Sequence, residues 1–288
     1  MTTHGTLLKK LRLERNLSRA RLIDNLHSIS TLQRFENDEA KMNFDTMWHL
    51  LDRMNIQLDD YVYEYQHFQL SKKATYQQRL RQSLLSQEQT TAFLLELEQA
   101  YQETKDIFYL FLQIQVKAIA TKLFSYQVPA IECSELEKVY HYLAGIERWG
   151  FFELQMYTHC LSLLSNRFRM FHFKDVLGRF QSMTNSSKHQ QLFVTFLIHS
   201  LVIAFEEQQL TDIPALLSLL DDATKDPDCM KGRIYWTFFC TLYQSATGKL
   251  HSTCFVEIEI LQRLGYEHLA QHLSNLKKKI LAKDLTSA

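Results

Sequence analysis

The first proline of this chain is Pro129, and only Pro214 and Pro227 follow it. Proline lacks the amide that an interior helical turn needs, and its ring clashes with the preceding turn, so its scarcity leaves long stretches open to continuous helix. Seven glycines in 288 residues supply few left-handed turn positions. No run alternates apolar and polar residues between hairpin turns, the pattern of a half-buried strand. The chain is therefore expected to be all-α. Hydrophobic residues make up 46% of it and charged residues 22%, which provides the apolar surface for an ordered core. Its length allows two domains.

The stretch Ser18–Glu36 reads as two short helices joined by a tight polar turn, the layout of a lambda-repressor-like helix-turn-helix. Ala20, Leu22, Ile23 and Leu26 gather on one side of the first helix, and Ile29, Leu32 and Phe35 recur at i, i+3 and i+6 in the second. His27 and Ser28 make the break. Ser18 and Ser28 are suited to cap the two helices, because a Ser hydroxyl accepts from the orphan amides of an opening turn. With the stripe inward, Ser30, Thr31, Gln33 and Arg34 face out, where a recognition helix meets base edges and phosphates. Upstream, Leu7, Leu8 and Leu11 mark a helix that also carries Lys9, Lys10, Arg12 and Arg15; downstream, Phe44, Met47, Leu51 and Met54 stripe a fourth.

Charge divides along the same lines. The formal net charge of the chain is zero, yet residues 1–34 carry seven Lys/Arg against Glu14 and Asp24, while residues 36–64 carry eight carboxylates against Lys41 and Arg53. A locally basic start is the footprint that a phosphate backbone requires. The expected contacts to double-stranded DNA are Arg12, Arg15, Ser18, Arg19, Ser28, Ser30, Thr31, Gln33 and Arg34. One such reader covers only a few base pairs, so two copies related by a two-fold axis would read an inverted repeat.

Several of these residues carry a resemblance. Gly5-Thr6-Leu7-Leu8-Lys9-Lys10-Leu11-Arg12, Leu17-Ser18, Ser28 through Glu36, and Leu50 through Ile56 resemble the N-terminal domain of the Rgg/GadR/MutR family. Tyr142-Leu143, Trp149-Gly150 and Phe152-Glu153-Leu154 resemble an element of its C-terminal domain. The resemblance implies a cytoplasmic transcription regulator that answers to a short hydrophobic peptide, works in quorum sensing and forms a homodimer. Departures are also present. Ile29 and Thr31 stand where members often carry Lys and Gln, so a bidentate Gln-to-adenine contact is missing there and Thr31 suits a thymine methyl instead. Asn37-Asp38 replaces the usual Gly after the recognition helix, a tolerable change because Asn and Asp visit the left-handed region. Phe44 occupies the place of a Cys that some members use to tie two subunits.

The first domain is expected to span 1–66, followed by a connection at 67–75 around Ser71-Lys72-Lys73 and a second domain at 76–288. There, amphipathic segments pair as 88–101 with 104–124, 132–145 with 149–165, 168–183 with 188–206, 210–223 with 228–246, and 249–263 with 266–282. Pair starts fall about forty residues apart, close to the period of helix-turn-helix solenoids. The strict tetratricopeptide consensus is missing, so the reading is TPR-like, with an irregular bundle as the alternative. A solenoid curves, and its concave face suits a peptide. Phe193 and Phe196 with Tyr235, Trp236 and Phe239 are candidate lining, and Arg148, His159, Asn166, Arg167 and Arg169 candidate anchors; an aromatic at helical spacing is also ordinary core. Leu269, Leu273, Leu276 and Ile280 form a seam on the last helix that either caps the solenoid or joins two copies.

Other classes find little support. The longest apolar run, Leu192–Phe205, contains Thr195, His199 and Ser200 and falls short of the roughly twenty residues a bilayer demands. No secretory segment opens the chain. Five irregularly spaced cysteines suit a reducing cytoplasm. His268 and His272 stand one helical turn apart, but Leu269 takes the place of the HExxH base and no third ligand is spaced for zinc. No phosphate loop or dinucleotide fingerprint is present. No enzyme, metal or cofactor is expected; the alternatives to a peptide-responsive regulator are a protein-interaction scaffold and a ligand-independent repressor.

Overall fold

The computed structural model of the chain describes residues 2–23, 28–123, 128–183, 186–248 and 255–284. These residues form α-helices and one 3-10 turn at Pro227–Cys229, and no strand is present among them. The backbone divides into two compact units, Met1–Gln89 and Thr90–Ala288.

The first unit holds α1 (His4–Glu14), α2 (Arg19–Ile23), α3 (Ile29–Glu36), α4 (Phe44–Arg53), α5 (Leu58–Tyr65) and α6 (Lys72–Ser83). α1, α3 and α4 start on side-chain caps: Thr3, Ser28 and Asn43 accept from the amides of Thr6, Thr31 and Thr46. They stop without glycine. Asn16, Asp38 and Asn55 take left-handed backbone angles, φ 54°, 61° and 56°, after α1, α3 and α4. In each case the amide of the next residue turns back to a carbonyl of the last turn, as from Glu39 to Arg34. Leu7, Leu8, Leu11, Leu22, Ile23, Leu32, Phe35, Leu50, Leu51 and Met54 bury together as the core. α1 crosses α3 so closely that a methyl group on Gly5 would lie 2.0 Å from the Phe35 carbonyl oxygen, which makes glycine obligatory there.

Three residues of the expected inward stripes do not reach the core. Ile29 and Phe44 are 51% and 61% exposed, and Ala20 is exposed as well. Leu32 and Phe35 suffice to fill the space under an eight-residue α3, so Ile29, on its first turn, points past the core. Leu26 and His27, expected in the stripe and the turn, lie outside the described residues. The unit boundary also differs from the connection expected at 67–75. Ser71 caps α6 through the amide of Ala74, and α6 groups with the first unit.

The second unit contains five helix pairs: α7 (Gln87–Thr104), which begins at the division, with α8 (Ile107–Leu123); α9 (Cys133–Ala144) with α10 (Phe151–Cys160); α11 (Asn166–Gln181) with α12 (Ser187–Glu206); α13 (Ile213–Ala223) with α14 (Met230–Ala246); and α15 (Val256–Arg263) with α16 (Glu267–Asp284). The expected repeat is present, its last pair opening later than 249 because 249–254 lie outside the described residues. The second helices of the pairs, α8, α10, α12, α14 and α16, pack side by side in series. Near its end, α16 places Lys279 Nζ 2.8 Å from Glu206 Oε1 at the end of α12, with α14 between. A bridge across two repeats is within reach of side chains only on the inside of a curve, so the second helices form the inner wall. The seam on α16 packs on its own chain, with Leu273, Leu276 and Ile280 buried.

α9 and α10 are joined by a clasp. Glu153 accepts from the amide of Gly150 through Oε2 and from the Tyr142 hydroxyl through Oε1, both at 2.8 Å. Trp149 Nε1 donates to the Leu143 carbonyl at 3.0 Å, and Leu143 and Leu154 are fully buried beside it. Burial, then the Glu153 carboxylate, pushes the Tyr142 hydroxyl up to about 12.

Candidate functional site

Within the first unit, Ser28 Oγ accepts from the Thr31 amide at 3.1 Å and lies 2.8 Å from both Ser30 Oγ and Thr31 Oγ1. The cap therefore also orders the hydroxyls of the first turn of α3. Ser30, Thr31, Gln33 and Arg34 are all exposed, as the outward face of that helix requires. Ser18 Oγ accepts from the Arg21 amide at 3.2 Å and opens α2.

The arginines divide differently from expectation. Arg12 is 5% exposed; its Nε and Nη2 donate to the two oxygens of Glu36 at 2.6 and 2.9 Å, and its Nη1 to the Leu17 carbonyl at 2.7 Å. Arg19 Nε adds a third donor to Glu36 at 2.7 Å. Arg15 donates to the carbonyls of Met54 and Leu11. Arg12 and Arg19 are spent inside the unit, holding α1, α2 and α3 together, because a buried carboxylate must be paired and hydrogen-bonded to be tolerated; Arg15 is exposed and ties the end of α1 to the end of α4. Burial pushes the Glu36 carboxyl up, but hydrogen bonds from Arg12 and Arg19 and their charges outweigh it and hold it below the ordinary range. Glu36 was the residue that sequence reasoning missed. Its signal was a single acidic position ending a helix whose neighbours are basic.

In the second unit the expected peptide residues do not come together. Phe196, Tyr235 and Phe239 are buried in the core among Phe180, Phe193, Phe205 and Phe238. α12 and α14 are apolar on most sides, so spacing alone gave no inner face to choose. Arg148 lines a cavity of about 200 Å³ with His172, Asp175 and Arg179. Asn166 lines a different one, of about 360 Å³, with Arg169. Arg167 is exposed at the start of α11. Of the expected polar anchors, His159 alone belongs to a second helix: its ring centroid lies 6.0 Å from that of His199 on α12 and 6.4 Å from that of Phe111 on α8. Burial, and then the neighbouring His199, lower the His159 imidazole to about 4. His199 Nδ1 lies 2.9 Å from the Thr158 carbonyl, an acceptor only, so Nδ1 carries the proton. His199 is the inner-wall residue that the sequence left inside an apolar run.

Residues 91–275 match the family model described as the C-terminal domain of the HTH-type transcriptional regulator Rgg. The chain belongs to the Rgg family. Solved structures share its fold over nearly the whole length. The Streptococcus dysgalactiae SHP pheromone receptor Rgg2 superposes with a TM-score of 0.74 at 19% identity, covering 96% of this chain and 99% of that one. A candidate transcriptional regulator from Listeria monocytogenes EGD-e gives 0.78 at 16% identity, with 97% of each chain covered. The complex of PrgX with cCF10 gives 0.70 at 14% identity, covering 97% and 92%. In this Rgg chain the Tyr142, Trp149 and Glu153 element is the α9–α10 clasp, a structural fastening that fixes where α10 enters the inner wall.

Proposed function

We propose that this Rgg-family chain is a cytoplasmic, homodimeric transcription regulator that reads an inverted-repeat promoter site through α3 and responds to a short hydrophobic peptide held by its repeat unit. It acts by binding, not by catalysis. The observation that carries the reading is the capped, outward first turn of α3, where Ser28, Ser30, Thr31, Gln33 and Arg34 remain available while Arg12 and Arg19 are committed to Glu36. Backbone amides and hydroxyls at a helix start meet phosphates, and Gln33 and Arg34 reach for bases. The inner wall of second helices supports the peptide half of the reading, with His159 and His199 its polar members near the middle. No described helix is long and apolar enough to cross a membrane.

At the C-terminal end, the seam on α16 is already used, whereas Val256 and Ile260 on α15 and Leu264 just after it present an exposed stripe at i, i+4 and i+8, beside exposed Tyr266. That stripe is the surface the reading assigns to the second copy, since a terminal repeat otherwise carries a polar outer face.

The test is anisotropy with labelled promoter fragments and a panel of short apolar peptides. Arg34→Ala is expected to cost about 1–3 kcal/mol in DNA affinity, and peptide and DNA must alter each other's affinity by the same factor. Unchanged binding by the Arg34 variant across a salt titration would refute the α3 docking, and peptides that bind without altering DNA affinity or transcription would favour the scaffold.

A further inference from the structure

A cavity of about 360 Å³ opens between α11, α12 and α13. Its walls are apolar, with Phe173, Leu177, Ile203 and Leu216 among them, and Arg169 and Glu207 stand at its polar side. The Arg169 side chain is only 11% exposed. Both of its side-chain contacts use Nη2, to Glu207 Oε1 at 2.5 Å and, at the limit of a hydrogen bond, to Asn166 Oδ1 at 3.5 Å. Among the described residues, Nε and Nη1 donate to nothing.

We propose that this cavity is a second ligand site, which takes a medium-chain aliphatic carboxylate. The volume is that of a small-molecule pocket. Apolar walls favour a hydrocarbon tail over water. The charged group within reach of that tail is a guanidinium with unused donors, whose planar fork accepts a carboxylate in two parallel bonds. Glu207 and Asp212 also line the cavity, so the carboxylate must take the place of Glu207 on Arg169; an alkylammonium would leave the Nε and Nη1 donors unused, and an alcohol would leave the fork half satisfied. Glu207, which is 37% exposed, can exchange into water as the ligand enters. Its neighbour Glu206 holds Lys279 of α16, so consecutive residues at the end of α12 face the cavity and the inner wall. Occupancy of the outer cavity therefore acts on the helix end that fastens the curve. None of this depends on the peptide reading.

Calorimetric titration of the full chain with decanoate, decan-1-ol and decylamine, each below its aggregation concentration, tests the proposal. Decanoate is expected to bind one to one, the alcohol to bind at least roughly tenfold more weakly, and the amine not to bind. Arg169→Gln is expected to weaken decanoate by at least roughly tenfold, with helicity by circular dichroism unchanged. Ala215→Trp, which fills the cavity from its lining, is expected to abolish binding. Absence of saturable decanoate binding, an alcohol that binds as tightly as the acid, or undiminished binding by either folded variant would overturn it.

Discussion

The two units solve the same problem, packing short helices, by different means. The first draws charged side chains into its core: Glu36 sits between Arg12 and Arg19, and Arg15 satisfies carbonyls at the ends of α1 and α4. Polar bonds have direction, so they fix helix rotation in a unit whose apolar core is small. The second unit relies on rings and branched chains, with Phe111, Tyr157, Phe196, Phe238 and Phe239 almost wholly enclosed. Its one strongly buried ion pair, among the described residues, joins Lys117 of α8 to Glu135 of α9. The lesson is that the small first unit obtains its precision from hydrogen bonds and the long repeat obtains it from shape.

The sharpest way to break this comparison is Glu36→Gln. Removing the carboxylate leaves Arg12 buried without its counter-charge, and a loss of about 3–5 kcal/mol is expected in the first unit. Hydrogen exchange should show faster opening across α1 to α3 and unchanged protection in α10 to α14. Equal loosening of both units would mean that they do not carry separate stabilities.

Acid provides the next test. His159 falls from an ordinary 6.5 to about 4, so between those pH values the unfolded chain binds the proton that the folded chain refuses. Its contribution is intact above about 6.5 and is lost as pH falls toward 4, on the order of 3 kcal/mol at 1.36 kcal/mol per unit. Glu36 has the same sign in a lower window: its stabilisation is present above the ordinary carboxylate range and lost as pH falls through its depressed value. Thermal melts from pH 7.5 to 4.5 should therefore weaken the second unit first, and His159→Asn should flatten that slope. An unchanged slope in the variant would remove His159 from the account.

Gly5→Ala should cost about 1–3 kcal/mol by forcing α1 away from the Phe35 carbonyl. The smallest effect expected is that of Ser28→Ala, about 1 kcal/mol from loss of the cap, detectable as a lower melting temperature of the first unit. If Ser28→Ala weakened DNA binding far more than stability, the cap would be a phosphate contact as well as a fastening.

Much of this was legible beforehand. Helix starts at Ser18 and Ser28, the left-handed stop at Asp38 and the five pairs of the repeat are local matters, settled by capping, turn chemistry and hydrophobic period over a few residues. The outward set on α3 was legible too, because Leu32 and Phe35 mark its inner side. Only the tertiary structure decided which arginines are spent inside, since Arg12, Arg19 and Arg34 look alike in sequence and differ solely by the distance to Glu36. Tertiary packing also decided that Phe196, Tyr235 and Phe239 are core while His159 and His199 meet across the inner wall. The physical reason is rotational: an amphipathic helix announces its buried face, whereas α12 and α14, apolar on most sides, can be turned about their axes only by the neighbours they pack against.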